Sequence, residues 1–275
     1  MPRLAVILTV HNRRETTLRC LRDWEKCPRP EGWTADIWLT DDGSTDGTAE
    51  AVASEFPQVH IIAGDGTLFW CRGMLAAWEA ADKAAPYDAF LWLNDDTYLY
   101  PEAFLRLEEA SRRHPDAILI GPVCSAVTGL QTYGGRDRKE CHPAPAGEDL
   151  TVYTFDGNIV WVPASVRQRL GLLDGRFSHA MGDMEYGYRA SCAGVAIWQL
   201  GAFLGTCEQH DRRPAWCDPA VPLRTRWKKL HSPLGLPPGQ FFYVARKGRG
   251  WFYAARCWVS IHFRTLFPWL WGKNK

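Results

Sequence analysis

The sequence predicts an α/β fold: a mostly parallel sheet flanked by helices, with a C-terminal helical extension. Three observations carry that expectation. Apolar strand-like runs alternate with helical stretches at short spacing as far as about residue 121. Two of those runs end in paired aspartates, Asp41-Asp42 and Asp95-Asp96, as strands do where they leave a sheet. The 275 residues suffice for one large domain or a domain with an appendage.

In order, residues 4–10 read as a buried strand. A helix follows, with Asn12 as its cap, Glu15 reaching back, and Leu18, Leu21 and Trp24 on its inner face. Residues 35–40 form a second strand, closed by the Asp41-Asp42-Gly43-Ser44 turn and a helix over 45–55. A short strand at 59–63 runs through Gly64-Asp65-Gly66 into a helix over 72–83. Residues 90–93 are the fourth strand, 101–113 a helix with Pro101 at its first position, and 117–121 a fifth strand. The stretch 128–151, rich in Gly, Pro and charge, reads as a loop or hairpin excursion. Then come a strand at 158–162, a helix opened by Pro163, a helix over 183–192 and a strand at 195–200. No internal repeat or low-complexity tract is present. A catalytic domain over 1–213 and a basic, aromatic extension over 214–275 are the expected units.

Composition narrows the function. A formal net charge of +1 gives no global field of the kind nucleic acid selects. The 14 Trp are many for this length, and suit either core packing, a membrane surface or sugar-stacking faces. Nine cysteines, odd in number and without metal-type spacing, suggest reduced thiols in a cytoplasmic protein. Strand-like sequence from Arg3 onward leaves a signal peptide unexpected. Arg256, His262, Arg264 and Pro268 interrupt the apolar stretch 251–271, so a membrane-spanning helix is not expected either.

The acidic strand ends carry the chemistry. A buried strand cannot hold two adjacent carboxylates, so Asp95 and Asp96 belong at its carboxyl end, where ligands bind in such sheets. Side by side they repel unless a cation or donor groups offset them, and a hard divalent metal is the obvious partner. Two such ends suggest a site for a metal-chelated diphosphate.

Four segments, read together, resemble the inverting, nucleotide-sugar-dependent glycosyltransferases of family 2, with the GT-A fold. They are Val6-Ile7-Leu8-Thr9-Val10-His11-Asn12, Leu39-Thr40-Asp41-Asp42-Gly43-Ser44-Thr45-Asp46, Leu93-Asn94-Asp95-Asp96 and Gly182-Asp183-Met184-Glu185-Tyr186-Gly187-Tyr188-Arg189. The resemblance covers about residues 4–210. It implies transfer of a hexosyl or deoxyhexosyl group from a nucleoside-diphosphate sugar to an acceptor hydroxyl, with Mg2+ or Mn2+ as cofactor. By the same resemblance Thr9, His11 and Asn12 touch the nucleobase, and Asp41 or Asp42 hydrogen-bonds base or ribose. Asp65 and Arg72 lie near the nucleotide, the latter where a diphosphate would offset a cation at a helix start. Asp96 is the main metal ligand, Asp95 a group that binds the ribose or stands behind the metal's own ligands, and His210 a weak further ligand. Asp183 is the base that takes the acceptor's proton. Trp70 and Glu185 border the sugar and acceptor pocket.

Each assignment has a plainer competitor in helix capping, turn chemistry or core packing. The sequence also departs from the family pattern. Asn94 replaces the first acid of the D-x-D motif, Gly73 stands where Asn is common, Gly182 where an acid is frequent, and Phe69 and Trp70 replace smaller residues.

From Arg224 to the end there is no Asp or Glu, while Arg226, Lys228, Lys229, Arg246, Lys247 and Arg249 precede an aromatic helical run. Trp251, Ala254, Ala255, Trp258, Ile261, His262 and Thr265 share one face of it. That face suits either a helix lying on an anionic membrane surface or one packed on the core. Membrane attachment would suit a peripheral enzyme with a lipid-linked or surface-polysaccharide acceptor. Two other functions remain open at this point. A sugar-nucleotide pyrophosphorylase would want a Gly-rich phosphate loop, and His11-Asn12-Arg13-Arg14 is a poor one. A non-catalytic carbohydrate-binding protein would use the tryptophans.

Overall fold

A computed structural model of the chain describes residues 1–209 and 213–270. Strand β1 (Arg3–Val10), helix α1 (Arg14–Lys26), β2 (Thr34–Asp41), α2 (Thr48–Glu55), β3 (His60–Ala63), α3 (Phe69–Ala84) and β4 (Ala89–Leu93) form a regular alternating half. The chain continues through β5 (Tyr98–Leu99), α4 (Ala103–Arg113), β6 (Ile118–Ile120) and β7 (Val123–Cys124). Short strands β8 (Gln131–Tyr133), β9 (Gly135–Arg136), β10 (Leu150–Thr151) and β11 (Thr154–Phe155) precede β12 (Ile159–Pro163). Then come α5 (Ala164–Leu170), α6 (Gly182–Cys192), β13 (Ile197–Gln199), β14 (Gly205–Thr206), α7 (Leu223–Leu230), α8 (Pro238–Arg249) and α9 (Trp251–Leu266).

The central sheet runs β10-β13-β6-β12-β4-β1-β2-β3. Strands β4, β1, β2 and β3 are parallel neighbours, whereas β12 enters antiparallel between β4 and β6. Two consequences of register matter for the site. Val10 pairs with Asp41, so the ends of β1 and β2 are level. Ile159 pairs with Leu93, so the residues before β12 lie beside the acidic residues after β4.

Side chains alternate across β1, as a strand buried on both faces requires. Leu4, Val6 and Leu8 pack with Leu18, Leu21 and Trp24 of α1 and Phe104 and Leu107 of α4. Ala5 and Ile7 face Met74, Ala77 and Trp78 of α3 and Tyr186 of α6. Trp78 sits 5.5, 5.3 and 5.7 Å from the rings of Phe90, Trp92 and Tyr186, in tilted or edge contacts worth about 0.5–1.5 kcal/mol each beyond the area they bury. Trp24, Trp78, Trp92 and Trp161 are all fully buried. Much of the tryptophan excess is therefore core.

Three local expectations are corrected. Asn12 does not cap α1: Arg13 holds that position without a side-chain bond, and Asn12 takes a left-handed φ of 50°. Its Oδ1 instead accepts from the Thr45 backbone N–H at 2.7 Å, joining the ends of β1 and β2. Pro101 does not open α4, because the Tyr100 carbonyl and the Ala103 N–H close a turn first. The excursion over 128–151 is not a loop alone but includes β8, β9 and β10.

After residue 213 the chain packs back on the sheet-flanking helices. Lys247 of α8 pairs with the fully buried Glu185 of α6, and Tyr153 Oη donates to the Gly248 carbonyl at 2.9 Å. Helix α9 buries Ala254, Ile261 and Thr265 while leaving Trp251, Phe252, Trp258, Val259 and Phe263 exposed. The predicted apolar face is thus divided. Ala254, Ile261 and Thr265 pack inward, Ala255 does not, and an aromatic outer face remains. No helix among the described residues is long and apolar enough to cross a membrane.

Candidate active site

Two adjoining cavities open at the carboxyl ends of β1, β2 and β4. One, about 300 Å³, is lined by Thr9, His11, Asp42, Gly66, Phe69 and Leu234. The other, about 520 Å³, is lined by Asn94, Asp96, Asp156, Gly157, Asp183 and Phe241 among others. Arg13, Trp70, Asp95 and His179 border both, so they are two lobes of one cleft.

In the smaller lobe, the ends of β1 and β2 are stitched by backbone geometry. His11 Nδ1 donates to the Asp42 carbonyl at 2.6 Å, leaving Nε2 to accept from Asn12 Nδ2 at 3.1 Å. Asp41 Oδ1 accepts from the Ser44 N–H at 3.0 Å. The Asp42 carboxylate takes three backbone N–H groups: Gly66 at 2.8 Å, Leu68 at 3.2 Å and Phe69 at 2.8 Å. It thereby satisfies the orphan donors at the start of α3, where the helix dipole also favours an anion. Gly43 takes φ +68°, and a Cβ there would lie 2.9 Å from Gly66 N, so this turn needs glycine. Asp65 turns outward, its Oδ1 accepting from Thr67 N–H and Oγ at 2.9 and 2.7 Å, which holds the carboxyl below its usual range. Arg72 Nε donates to the Gly175 carbonyl at 3.0 Å, so its guanidinium braces that loop.

Two family departures have a packing cause. A Cβ on Gly73 would overlap Thr9 Oγ1 and lie 2.9 Å from Thr9 Cβ, so α3 approaches β1 only because residue 73 is glycine. A Cβ on Gly182 would overlap Cys71 Sγ in the same way. A third departure has a bonding cause: Asn94 Oδ1 accepts from the Trp70 indole N–H at 2.7 Å. That bond fixes Trp70 as the partition between the lobes.

Beyond Asn94, Asp95 is buried and Asp96 is partly exposed to the cleft. Arg13 spans both, its Nε 3.2 Å from Asp95 Oδ2 and its Nη2 2.9 Å from Asp96 Oδ2. Burial raises Asp95 to about 7, Arg13 pulls against that, and Asp96 adds to it. Cys207 Sγ lies 3.7 Å from Asp96 Oδ1, and burial keeps it a thiol, pushed up to about 12.

Asp96 offers hard carboxylate oxygens to the larger lobe, with Asp95 beside it at the junction of the two, a donor set suited to Mg2+ or Mn2+. Among the described residues no cluster of three or more His, Cys, Asp or Glu is placed to hold a metal. A cation on Asp96 would complete its shell from phosphate and water oxygens, as Mg2+ commonly does. His210 lies outside the described residues.

The larger lobe contains Asp183, at the first turn of α6. Its Oδ2 accepts from the Gly157 N–H at 3.0 Å and its Oδ1 from its neighbour's, Met184, at 2.8 Å. Burial, then the charge of Asp156, raise its carboxyl to about 6. Asp156 goes the other way. Burial opposes its charge, but His142 Nε2 at 2.8 Å and Arg136 Nη2 at 2.7 Å outweigh it and hold the carboxyl below its usual range. Of the two neighbouring acids, one is a fixed anion and the other can exchange a proton near neutrality.

Glu185, expected in the acceptor pocket, is instead a strut. Its buried carboxylate pairs with Arg189 Nη2 at 3.0 Å and with Lys247, and lines neither lobe. Sequence reasoning missed Asp156, Arg136, His142 and His179. The last lies between the lobes with a buried, unpartnered Nδ1, and burial lowers its pKa.

The sequence signature described as Glycosyl transferase family 2 matches residues 5–161. No curated protein matches the chain. In structure the chain is similar to S. aureus TarS residues 1–349, with TM-score 0.60 and 13% identity, over 98% of this chain and 71% of that one. A second S. aureus TarS structure gives 0.57 and 14%, over 96% of this chain and 44% of that one. GalNAc-T7 with UDP, GalNAc and Mn2+ gives 0.56 and 15%, over 73% of this chain and 42% of that one. The chain spans less than half the length of the latter two, and at such identities the likeness concerns the fold. With the signature matching more than half of its length, and the sheet and cleft arranged as above, the chain belongs to glycosyl transferase family 2 and is a glycosyltransferase of GT-A fold.

Proposed function

We propose that the chain is a divalent-metal-dependent, inverting glycosyltransferase that uses a nucleoside-diphosphate sugar and deprotonates its acceptor with Asp183. One observation carries this reading: Asp183, raised to about 6, faces the same lobe as the Asp95-Asp96 end of β4. A base on one side and a diphosphate site on the other are what direct displacement at an anomeric carbon requires. GalNAc-T7, similar in fold, was crystallised with UDP, GalNAc and Mn2+, and TarS has been crystallised with UDP, which favours a nucleotide-sugar donor.

In this mechanism the smaller lobe takes the nucleoside, against Thr9, His11 and Asp42, and the diphosphate runs past Arg13 toward Asp96. A bound Mg2+ or Mn2+, held by Asp96 with Asp95 beside it, would neutralise charge on the departing diphosphate. Trp70 and His179 flank the sugar. Asp183 accepts the acceptor's proton as the acceptor oxygen bonds to the anomeric carbon. The bond to the diphosphate oxygen breaks with its electron pair, and the anomeric configuration inverts. The Gly157 N–H orients Asp183, and the fixed Asp156 anion keeps it basic.

The region after residue 213 acts, in this reading, as an extension that meets an anionic bilayer. Among the described residues most exposed large apolar side chains fall after residue 222, and the same stretch has no acid to repel lipid phosphate. Leu234, Leu236 and Phe241 of this stretch also wall the cleft, which favours a lipid-linked acceptor over a free one.

The test is a panel of α-linked nucleoside-diphosphate sugars with Mn2+, scored by nuclear magnetic resonance for release of the nucleotide and for the anomer formed. Metal-dependent turnover with a β-product is expected. Retention of configuration, or equal turnover in excess chelator, would refute the proposed mechanism.

A further inference from the structure

Arg13 was assigned no role by sequence reasoning, yet it occupies the centre of the cleft. It stands just before α1, at a position where the helix dipole disfavours a cation, and it borders both lobes. Its guanidinium crosses from Asp95 Oδ2, at 3.2 Å, to Asp96 Oδ2, at 2.9 Å. The two acids outweigh partial burial and keep it firmly charged. Without it, two adjacent carboxylates, one of them buried, would face each other uncompensated.

This arrangement has a cost for any divalent ion. A metal on Asp96 would share a carboxylate whose Oδ2 the guanidinium already holds, and two cations on one carboxylate repel strongly at that range. A guanidinium displaced from Asp96 has a ready alternative, because its planar fork fits phosphate oxygens as well as carboxylate ones. The side chain is more than a third exposed, so it has room to swing.

Resting on the metal-dependent reading above, we propose that Arg13 is a resident counter-ion. It holds Asp96 in the free protein and passes to the donor's diphosphate when metal and nucleotide enter together. Metal alone then binds weakly because it competes with Arg13. Metal with a nucleoside diphosphate binds tightly because the displaced guanidinium gains a new anion. The two ligands are coupled through one side chain, and the coupling is reciprocal.

The experiment measures Mn2+ binding by electron paramagnetic resonance, alone and with whichever of UDP, dTDP or GDP binds best. It compares the full chain, Arg13→Gln, Arg13→Lys and Asp96→Ala. Circular dichroism and melting confirm that each variant is folded. Arg13→Gln should bind Mn2+ alone about tenfold more tightly, since its competitor is gone, yet bind the Mn2+–nucleotide pair at least tenfold more weakly. Arg13→Lys, which keeps charge but cannot span both acids, should fall between. If Asp96→Ala abolishes Mn2+ binding while Arg13→Gln leaves it unchanged or weaker, the counter-ion proposal is overturned and the metal site stands. If neither the unaltered chain nor Arg13→Gln takes up Mn2+ with any nucleotide, the metal reading fails and this proposal with it.

Discussion

The backbone N–H of Gly157 donates to Asp183 Oδ2 at 3.0 Å, and a side chain on that glycine would strike the Trp70 ring 2.5 Å away. One residue thus orients the proposed base and admits the partition between the lobes. Gly157 can do both because β12 runs antiparallel beside β4, which sets residues 156–158 against Asn94.

The first prediction concerns Asp183. As a base it must be ionised, so turnover should rise with pH through about 6 and then level. Asp183→Asn should cost on the order of 10²–10⁴ in kcat, with nucleotide affinity little changed. Stability should move oppositely. The folded carboxyl titrates near 6, above its value in an unfolded chain, so its ionisation penalty is absent below about pH 4 and complete above about pH 6. The Asn variant escapes that penalty, so relative to the parent it should stand on the order of 2 kcal/mol better at pH 8 than at pH 4, while at both values its amide nitrogen gives up one of the two N–H bonds that the carboxylate accepts. Denaturant melts at the two pH values check this, and equal stability at both would contradict the sign.

Asp96→Ala should remove the dependence of nucleotide binding on Mn2+ while leaving the fold intact, since its carboxylate is partly exposed and braces no backbone. Isothermal titration with and without chelator decides it. A variant that still binds nucleotide only in the presence of metal would move the site elsewhere.

Gly73→Ala places a methyl group against Thr9, in a contact with no room to relax along β1. Overpacking of this kind costs about 1–3 kcal/mol. The melting temperature should fall, and nucleotide affinity should fall with it because Thr9 lines the smaller lobe. The double variant Thr9→Ala with Gly73→Ala should recover part of that stability, because it removes the Oγ1 overlap but keeps the 2.9 Å approach to the Cβ of residue 9, and a mere loss of helix flexibility would not explain even partial recovery.

Glu185→Gln leaves the Arg189 and Lys247 charges facing a neutral, fully buried amide. Breaking a buried ion pair from one side typically costs about 3–5 kcal/mol. Hydrogen exchange should quicken in α8 well before it does in β1, since Lys247 is the charged tie between α8 and α6. Uniform loss of protection across the chain would count against that role.

Vesicles containing anionic lipid should sediment the chain, and added salt should release it. Phe252→Ser with Val259→Ser, both exposed on the outer face of α9, should weaken binding at least tenfold without altering the melting temperature. Equal binding to neutral and anionic vesicles would rule out the electrostatic part.

The strand ends were legible because carboxylates interrupt apolar runs abruptly, as at Asp41 and Asp95, and no buried strand tolerates that. Asn12 misled because its sequence suits a cap equally well, and only the neighbouring 44–45 turn, 32 residues on, decides its left-handed backbone. Glu185 misled because one of its cations, Lys247, lies 62 residues away. The Asp156, Arg136 and His142 cluster carried no periodic signal at all. It is assembled by two-residue strands and the turns between them, where side-chain bonding rather than hydrophobic spacing sets the path. The antiparallel entry of β12 was likewise invisible, since pairing between distant strands leaves no mark in local spacing.

The Lys247–Glu185 contact bears on how a minimal fragment of this enzyme should be cut. Ending the chain at residue 213 would look natural from the composition of the extension that follows, yet it would strand Glu185 with Arg189 as its remaining cation. It would also strip Leu234 and Phe241 from the cleft, leaving a truncated protein with one cation too few around a buried carboxylate and open where it should be walled.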